Sequence, residues 1–110
     1  MAGAKLIVCY PHPKDSVAFE KAYAEEHIPL AGPILAKAGA QKAVLTRLAD
    51  SPQGRPHFHR IAEIHFPSAE SLNEALASPD VQRAVADANR LSTGGPVVAM
   101  ISGEDQTITF

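Results

Sequence analysis

The stretch His27-Ile28-Pro29-Leu30-Ala31-Gly32-Pro33 puts an imidazole where an apolar residue is expected. The run before it, "SVAFEKAYAEE", carries Phe19, Ala22 and Tyr23 along one stripe of an amphipathic helix, with Glu20, Lys21 and Glu25 on the other side. The next step of that stripe is His27. An imidazole is the side chain best suited to give or take a proton near neutral pH, so His27 is a candidate general acid or base. The competing role is structural. Pro29 and Pro33 have no N–H, and a carbonyl left without a partner would accept a ring N–H.

A second set lies on the strand-like run from His57 to Phe66. His59, Glu63 and His65 are spaced i, i+4, i+6 on one face, which they share with His57 and Ile61. A carboxylate between two imidazoles suits acid/base chemistry, or a metal if further ligands join it. A partly solvated strand or an interface network would use the same residues without chemistry. No cysteine joins the set and no His-Glu-x-x-His run occurs, so no metal is expected. Tyr10 and Tyr23 could each donate a phenolic hydrogen bond to a ligand, or be core aromatics with the hydroxyl at the rim. The candidate catalytic residues are therefore His27, His59, Glu63 and His65. The candidate ligand contacts are Tyr10, Tyr23, Ile61 and Met100. Arg60 interrupts the apolar face of its strand and is expected to pair with an acid at a helix edge. His12, between two prolines, reads as an exposed loop residue.

The elements that must position these groups follow from periodicity and punctuation. Leu6 to Tyr10 is a buried strand closed by Pro11 and Pro13. Asp15 or Ser16 caps the first helix. The two prolines must bend or interrupt it, and a second helical piece over about 30–38 ends at Gly39. Residues 40–48 and 57–66 read as strands joined by the turn-rich segment 50–56. Pro67-Ser68 opens a helix with Leu72, Ala75 and Leu76 inward. Ser78-Pro79 restarts it, with Val81, Ala84, Val85 and Ala88 as its apolar face. Residues 97–102 are a last strand. The order β-α-β-β-α-β is the ferredoxin-like split βαβ, an α+β fold with a four-stranded antiparallel sheet and helices on one face. The 57–66 and 97–102 strands carry apolar groups on both sides, so the uncovered face calls for a second cover. A homodimer with sheets face to face supplies it, and residues 104–110, with strand character in Thr107 to Phe110, form an arm toward the partner.

Composition sets the frame. The chain of 110 residues fits one domain, 1–110. Ten basic against twelve acidic residues gives a net charge of −2, which offers no case for nucleic acid or an anionic membrane. The apolar run at the N-terminus is shorter than a signal peptide core or a membrane span. A single cysteine, Cys9 in "KLIVCY", reads as a buried, inert thiol. A cytoplasmic location is the expectation. Nucleotide-binding glycine patterns and the Gly-x-Ser-x-Gly elbow do not occur. No organic cofactor is expected.

The segment "LIVCYPHPKDSVAFEKAYAEEHIPLA" resembles the opening of the EthD-like domain family, with its strand ending in Tyr, its helix with Phe and Tyr, and its His-x-Pro-Leu. "HRIAEIHFPSAESLNEALASP" resembles that family's central strand and second helix. The resemblance implies a dimeric α+β barrel and an accessory role in bacterial catabolism, since the family is named for degradation of ethyl tert-butyl ether beside a haem mono-oxygenase system. It places His27 on the family's His-x-Pro-Leu. Relatives with this barrel include muconolactone isomerases, cofactor-independent mono-oxygenases, polyketide cyclases and haem-degrading enzymes. With no Trp, four Phe and two Tyr, the last fit poorly. The resemblance thus implies a pocket for a small organic molecule, with cofactor-free acid/base or oxygenase-type chemistry. The alternative is a non-catalytic binding or stress-linked module with structural histidines.

Overall fold

Alternating burial draws the first strand into the sheet. In the computed structural model, which describes residues 3–110, β1 runs Ala4–Pro11 and turns Ala4, Leu6 and Tyr10 into the core. Helix α1, Ser16–Ala22, starts at Asp15, whose carboxylate accepts the Ala18 N–H at 3.0 Å. That bond answers one of the unpaired donors at a helix start. The chain then departs from the proline-broken helix expected at 29. Tyr23–His27 form a π-helical turn, in which the Ile28 N–H reaches the Tyr23 carbonyl five residues back. Helix α2, Ile28–Lys37, follows at once with Pro29 in its first turn and Pro33 inside it. Pro29 loses little, because a first-turn N–H has no intrahelical partner. The interruption is therefore a wider turn just before the proline, and α2 continues through Pro33. It closes on Gly39 at φ 108°, with the Ala40 N–H on Leu35 O at 3.0 Å and the Gly39 N–H on Ala36 O at 3.1 Å. This pair of bonds is the Schellman closure that favours glycine at that position.

Strands β2, Lys42–Arg47, and β3, Phe58–Phe66, come next, each slightly shorter than the alternation suggested. Helix α3, Ala69–Ala77, is capped by Ser68 Oγ on the Ser71 N–H at 3.0 Å. Helix α4, Pro79–Leu91, begins with Pro79 as expected, but the Ser78 hydroxyl makes no cap bond; its carbonyl takes the Gln82 N–H instead. Strand β4 is Val98–Ile101. The sheet order is β2-β3-β1-β4 with every pairing antiparallel, the ferredoxin-like α+β topology. Each helical crossover is in two pieces, as the prolines at 29 and 79 suggested.

Two apolar clusters join the helices to one face of the sheet. In the first, Leu6, Ile64 and Phe66 meet Leu72 and Ala75 of α3 and Val81 of α4. In the second, Tyr10 packs edge-on against Phe19 and Tyr23 at centroid distances of 5.3 and 5.5 Å, with Ala88 and Leu91 beneath. Gly94 is required by a close approach: a Cβ there would collide with the His12 carbonyl.

The other face of the sheet carries no helix. Register places Ile7 opposite Glu63, Cys9 opposite Ile61, and Met100 and Val98 of β4 opposite Ile7 and Cys9. Val44, Val98 and Met100 stand exposed. Beyond β4 the chain is tied back to Lys5 by the Ser102 N–H, the Ser102 hydroxyl and an Asp105 ion pair at 3.4 Å. Ile108 and Phe110 are left exposed.

A candidate acid/base pocket

Between the helices and the sheet lies an open-mouthed cavity of about 110 Å³. Leu6, Val8, Ala43, Leu45, Ala62 and Ile64 form its sheet wall, and Ala31, Leu35, Val81, Ala84 and Ala88 its helix wall. Ile28, Leu45 and Val85 are its exposed apolar residues. Among the described residues, no lysine, arginine, aspartate or glutamate lines it. Its polarity comes from Tyr10, Tyr23 and His27.

The π turn explains how an imidazole came to this wall. In an α-helix, four residues overshoot a full turn by about 40°. A π turn holds an extra residue and removes most of that drift. Phe19, Tyr23 and His27, each four apart, consequently stay stacked. Phe19 and Tyr23 lie 5.5 Å apart with planes 17° from parallel, and Tyr23 and His27 lie 5.6 Å apart at 23°. His27 is buried at the end of this column.

Its ring nitrogens are both engaged. Nδ1 lies 2.9 Å from Asp87 Oδ2 on α4. An ionised carboxylate only accepts, so Nδ1 carries a proton, and in the neutral ring Nε2 is the acceptor. Nε2 faces the Tyr10 hydroxyl at 3.5 Å. Asp87 is in turn held by Arg90 Nε at 2.8 Å, and Arg90 reaches Glu26 at 3.2 Å. The Arg90 guanidinium holds the Asp87 carboxyl below the usual carboxylate range, against the opposing effect of burial and with a smaller contribution from His27. Burial pushes the Tyr10 phenol well up, and Tyr23 to about 12, so both keep their protons at working pH. Neither nitrogen of His27 serves a carbonyl freed by proline.

A second polar set sits beyond Tyr23. Glu20 of α1 accepts from Arg60 through both oxygens, at 3.2 and 2.5 Å, and stands 2.9 Å from His59 Nε2. Arg60 also lies over the Tyr23 ring at 4.8 Å, a favourable cation–π position. The Arg60 hydrogen bonds lower the Glu20 carboxyl, with burial opposing and His59 assisting. Two adjacent strand residues reach one carboxylate because the β1–β3 register slips between Tyr10 and Pro11. Such a bulge puts an extra residue on one strand and re-aims its side chain.

A model of the EthD domain matches residues 12–94. The chain belongs to the EthD family. It is 30% identical over 105 residues to an uncharacterized 11.0 kDa protein from the thcB–thcC intergenic region of Rhodococcus erythropolis, covering 94% of this chain and 96% of that one. A crystal structure of an EthD family protein from Bacillus halodurans superposes with TM-score 0.83 at 30% identity, covering 94% of this chain and all (100%) of that one. A variant of SnoaB, a cofactor-independent oxygenase from Streptomyces nogalater, has TM-score 0.69 at 16% identity with 98% of both chains covered, a likeness of fold alone.

In this EthD domain the sequence-selected residues fall into two groups. His27, Tyr10 and Tyr23 come together at the pocket. Glu63 and His65 stand on the open sheet face with Ile61 and Met100, away from that pocket, and Glu63 lies 3.9 Å from Lys5. His59 does not share their face: the bulge turns it to Glu20 and sets its ring edge-on to Phe19 at 5.3 Å. His57 precedes β3 and is exposed. Arg60 pairs with a helix acid, as its place on the strand suggested. His12 is more engaged than a loop residue, with Nε2 on the Pro56 carbonyl at 2.5 Å and its ring 6.2 Å from that of His59. Sequence reading missed Asp87 and placed Glu20 on the solvent side. Asp87 is one acid on a charged helix, and its only local signal is Arg90 one turn on.

Proposed function

We propose that this EthD domain binds a small, largely apolar organic molecule between its helices and sheet and acts on it by acid/base chemistry at His27, without an organic cofactor, in a catabolic or oxidative pathway. The observation that carries this reading is the line Asp87–His27–Tyr10 at the wall of an otherwise apolar cavity. A base oriented by a buried acceptor, with a hydroxyl at its other nitrogen and both beside a pocket, is an arrangement general-base catalysis can use. SnoaB, a cofactor-independent oxygenase, shows that this fold can carry chemistry without an organic cofactor. His59 is assigned to support: with Arg60 and Glu20 it ties β3 to α1 behind Tyr23. Glu63, His65, Ile61 and Met100 are assigned to a homodimer contact, formed by the open sheet face and the 104–110 arm. Exposed Val44, Val98 and Met100 there are what a second copy would cover.

The non-catalytic reading is favoured by one observation. Among the described residues, no buried side-chain nitrogen or oxygen is left without a partner, so the His27 network is complete without a ligand. The two readings separate by experiment. The protein is incubated in deuterated water with neutral phenols, ketones and lactones, and exchange or conversion is followed by mass spectrometry. Conversion that is lost in His27→Ala while folding persists is the expected result. Conversion unchanged in that variant, or none with any compound that binds, assigns the histidine to structure.

A further inference from the structure

The pocket's polar groups restrict what it can hold, given that it is the binding site argued above. His27 Nε2 is a lone pair and the Tyr10 hydroxyl is a donor, and they stand 3.5 Å apart, at the outer limit of a hydrogen bond. A ligand oxygen seated between them would meet one donor and one acceptor at once. No cationic side chain lines the cavity among the described residues. The nearby guanidinium of Arg60 is held by Glu20, and that of Arg90 by Asp87 and Glu26. A carboxylate or phosphate would therefore enter an apolar space with no counter-charge, and with Asp87 behind the ring it approached. A hydrocarbon would leave the Tyr10–His27 pair as it stands and make no use of either group.

We propose that the site takes an uncharged, largely apolar molecule with one weakly acidic proton on or next to an oxygen, a phenol or an enolisable ketone, and that His27 Nε2 receives that proton while the Tyr10 hydroxyl donates to the oxygen. The bond that breaks is the ligand O–H, or the C–H beside its carbonyl. The bond that forms is Nε2–H. The electron pair stays on the ligand as phenolate or enolate, and the proton returns by the reverse step, so no oxidant or reductant enters. Asp87 stabilises the imidazolium formed, through the Nδ1–H it already accepts. Tyr10 stays a donor throughout, since burial keeps its phenol protonated. The Tyr10 donor and the imidazolium formed beside it offset the cost of placing the oxyanion in an apolar surround.

The test uses three probes of one shape: para-nitrophenol, para-nitroanisole and para-nitrobenzoate, titrated into the wild-type protein by calorimetry in slightly acidic buffer. The nitrophenolate absorbance reports proton transfer. The expected result is that nitrophenol binds at least about tenfold more tightly than nitroanisole, a difference of about 1.4 kcal/mol, that its bound form shows the nitrophenolate band, and that nitrobenzoate binds most weakly. His27→Gln, which keeps a donor toward Asp87, loses the band and keeps nitroanisole binding. Tyr10→Phe weakens nitrophenol binding while leaving nitroanisole unchanged. Circular dichroism confirms that both variants fold. Equal binding of nitrophenol and nitroanisole, or a preference for nitrobenzoate, overturns the ligand class and leaves the pocket standing. If none of the three binds, the pocket reading fails and the ligand class with it.

Discussion

His27 and Asp87 lie 60 residues apart in sequence and 2.9 Å apart in space, the imidazole on the π turn and the carboxylate on α4. The contact joins the two βαβ halves at the pocket. It also decides the tautomer of the ring, because the carboxylate can only accept.

That tautomer is open to measurement. Nitrogen NMR of the wild-type protein should show the Nδ1–H form of His27 at neutral pH. Asp87→Ala should give a mixture of tautomers, and should cost about 1–3 kcal/mol by leaving the buried Nδ1–H without an acceptor. An unchanged tautomer in the variant would mean that Asp87 does not orient the ring.

Acid should unfold the protein through two carboxylates. Arg90 lowers the Asp87 carboxyl and Arg60 that of Glu20, from ordinary values of 3.8 and 4.5. Both groups therefore bind protons more readily in the unfolded chain, so stability rises with pH across this range. Their contribution is complete above the ordinary values and is lost as pH falls through the lower, folded ones. Urea unfolding in a pH series should show this slope, and Glu20→Gln with Asp87→Asn should flatten it. A double variant with the full slope would place the acid sensitivity elsewhere.

Core packing predicts a contrast within the helices. Leu72 is fully buried between α3 and the sheet, and Leu72→Ala should cost about 2–5 kcal/mol. Val85 stands half exposed at the pocket, and Val85→Ala should change stability by no more than about 0.5 kcal/mol. Equal losses in chemical denaturation would contradict the burial described.

The open sheet face makes a prediction about assembly. Light scattering at micromolar concentration should give the mass of two chains, and a Val98→Asp, Met100→Asp double variant should give the mass of one with an unchanged circular dichroism spectrum. A monomeric wild-type protein would remove the proposed role of that face.

The fold was legible because its signals are local: the apolar runs of β1 and β3, Asp15 and Ser68 as caps, Gly39 as a stop. The pocket was legible only in part. His27, Tyr10 and Tyr23 stand out by type on an apolar stripe. Asp87 does not, since an acid on a charged helix looks the same whether it meets water or a buried ring. The separation of His59 from Glu63 and His65 was hidden for another reason. Strand alternation is a period of two, and one bulge residue reverses it without leaving a mark in composition. The π turn was equally silent: the prolines announced a disturbance, but not that it would widen the helix instead of ending it.

A π turn is an α-helix with one residue too many. Removing exposed Ala24 from Tyr23–His27 would let the backbone return to the narrower spiral and leave His27 near its present side of the axis, because the wide turn is what absorbs the extra residue. Asp15 would still start the helix and Gly39 would still end it. Chains of this architecture can therefore differ by one residue here and still bring the imidazole to the pocket wall. In relatives, the spacing between the Tyr at the end of β1 and the His-x-Pro-Leu can thus differ by one residue without a change of site.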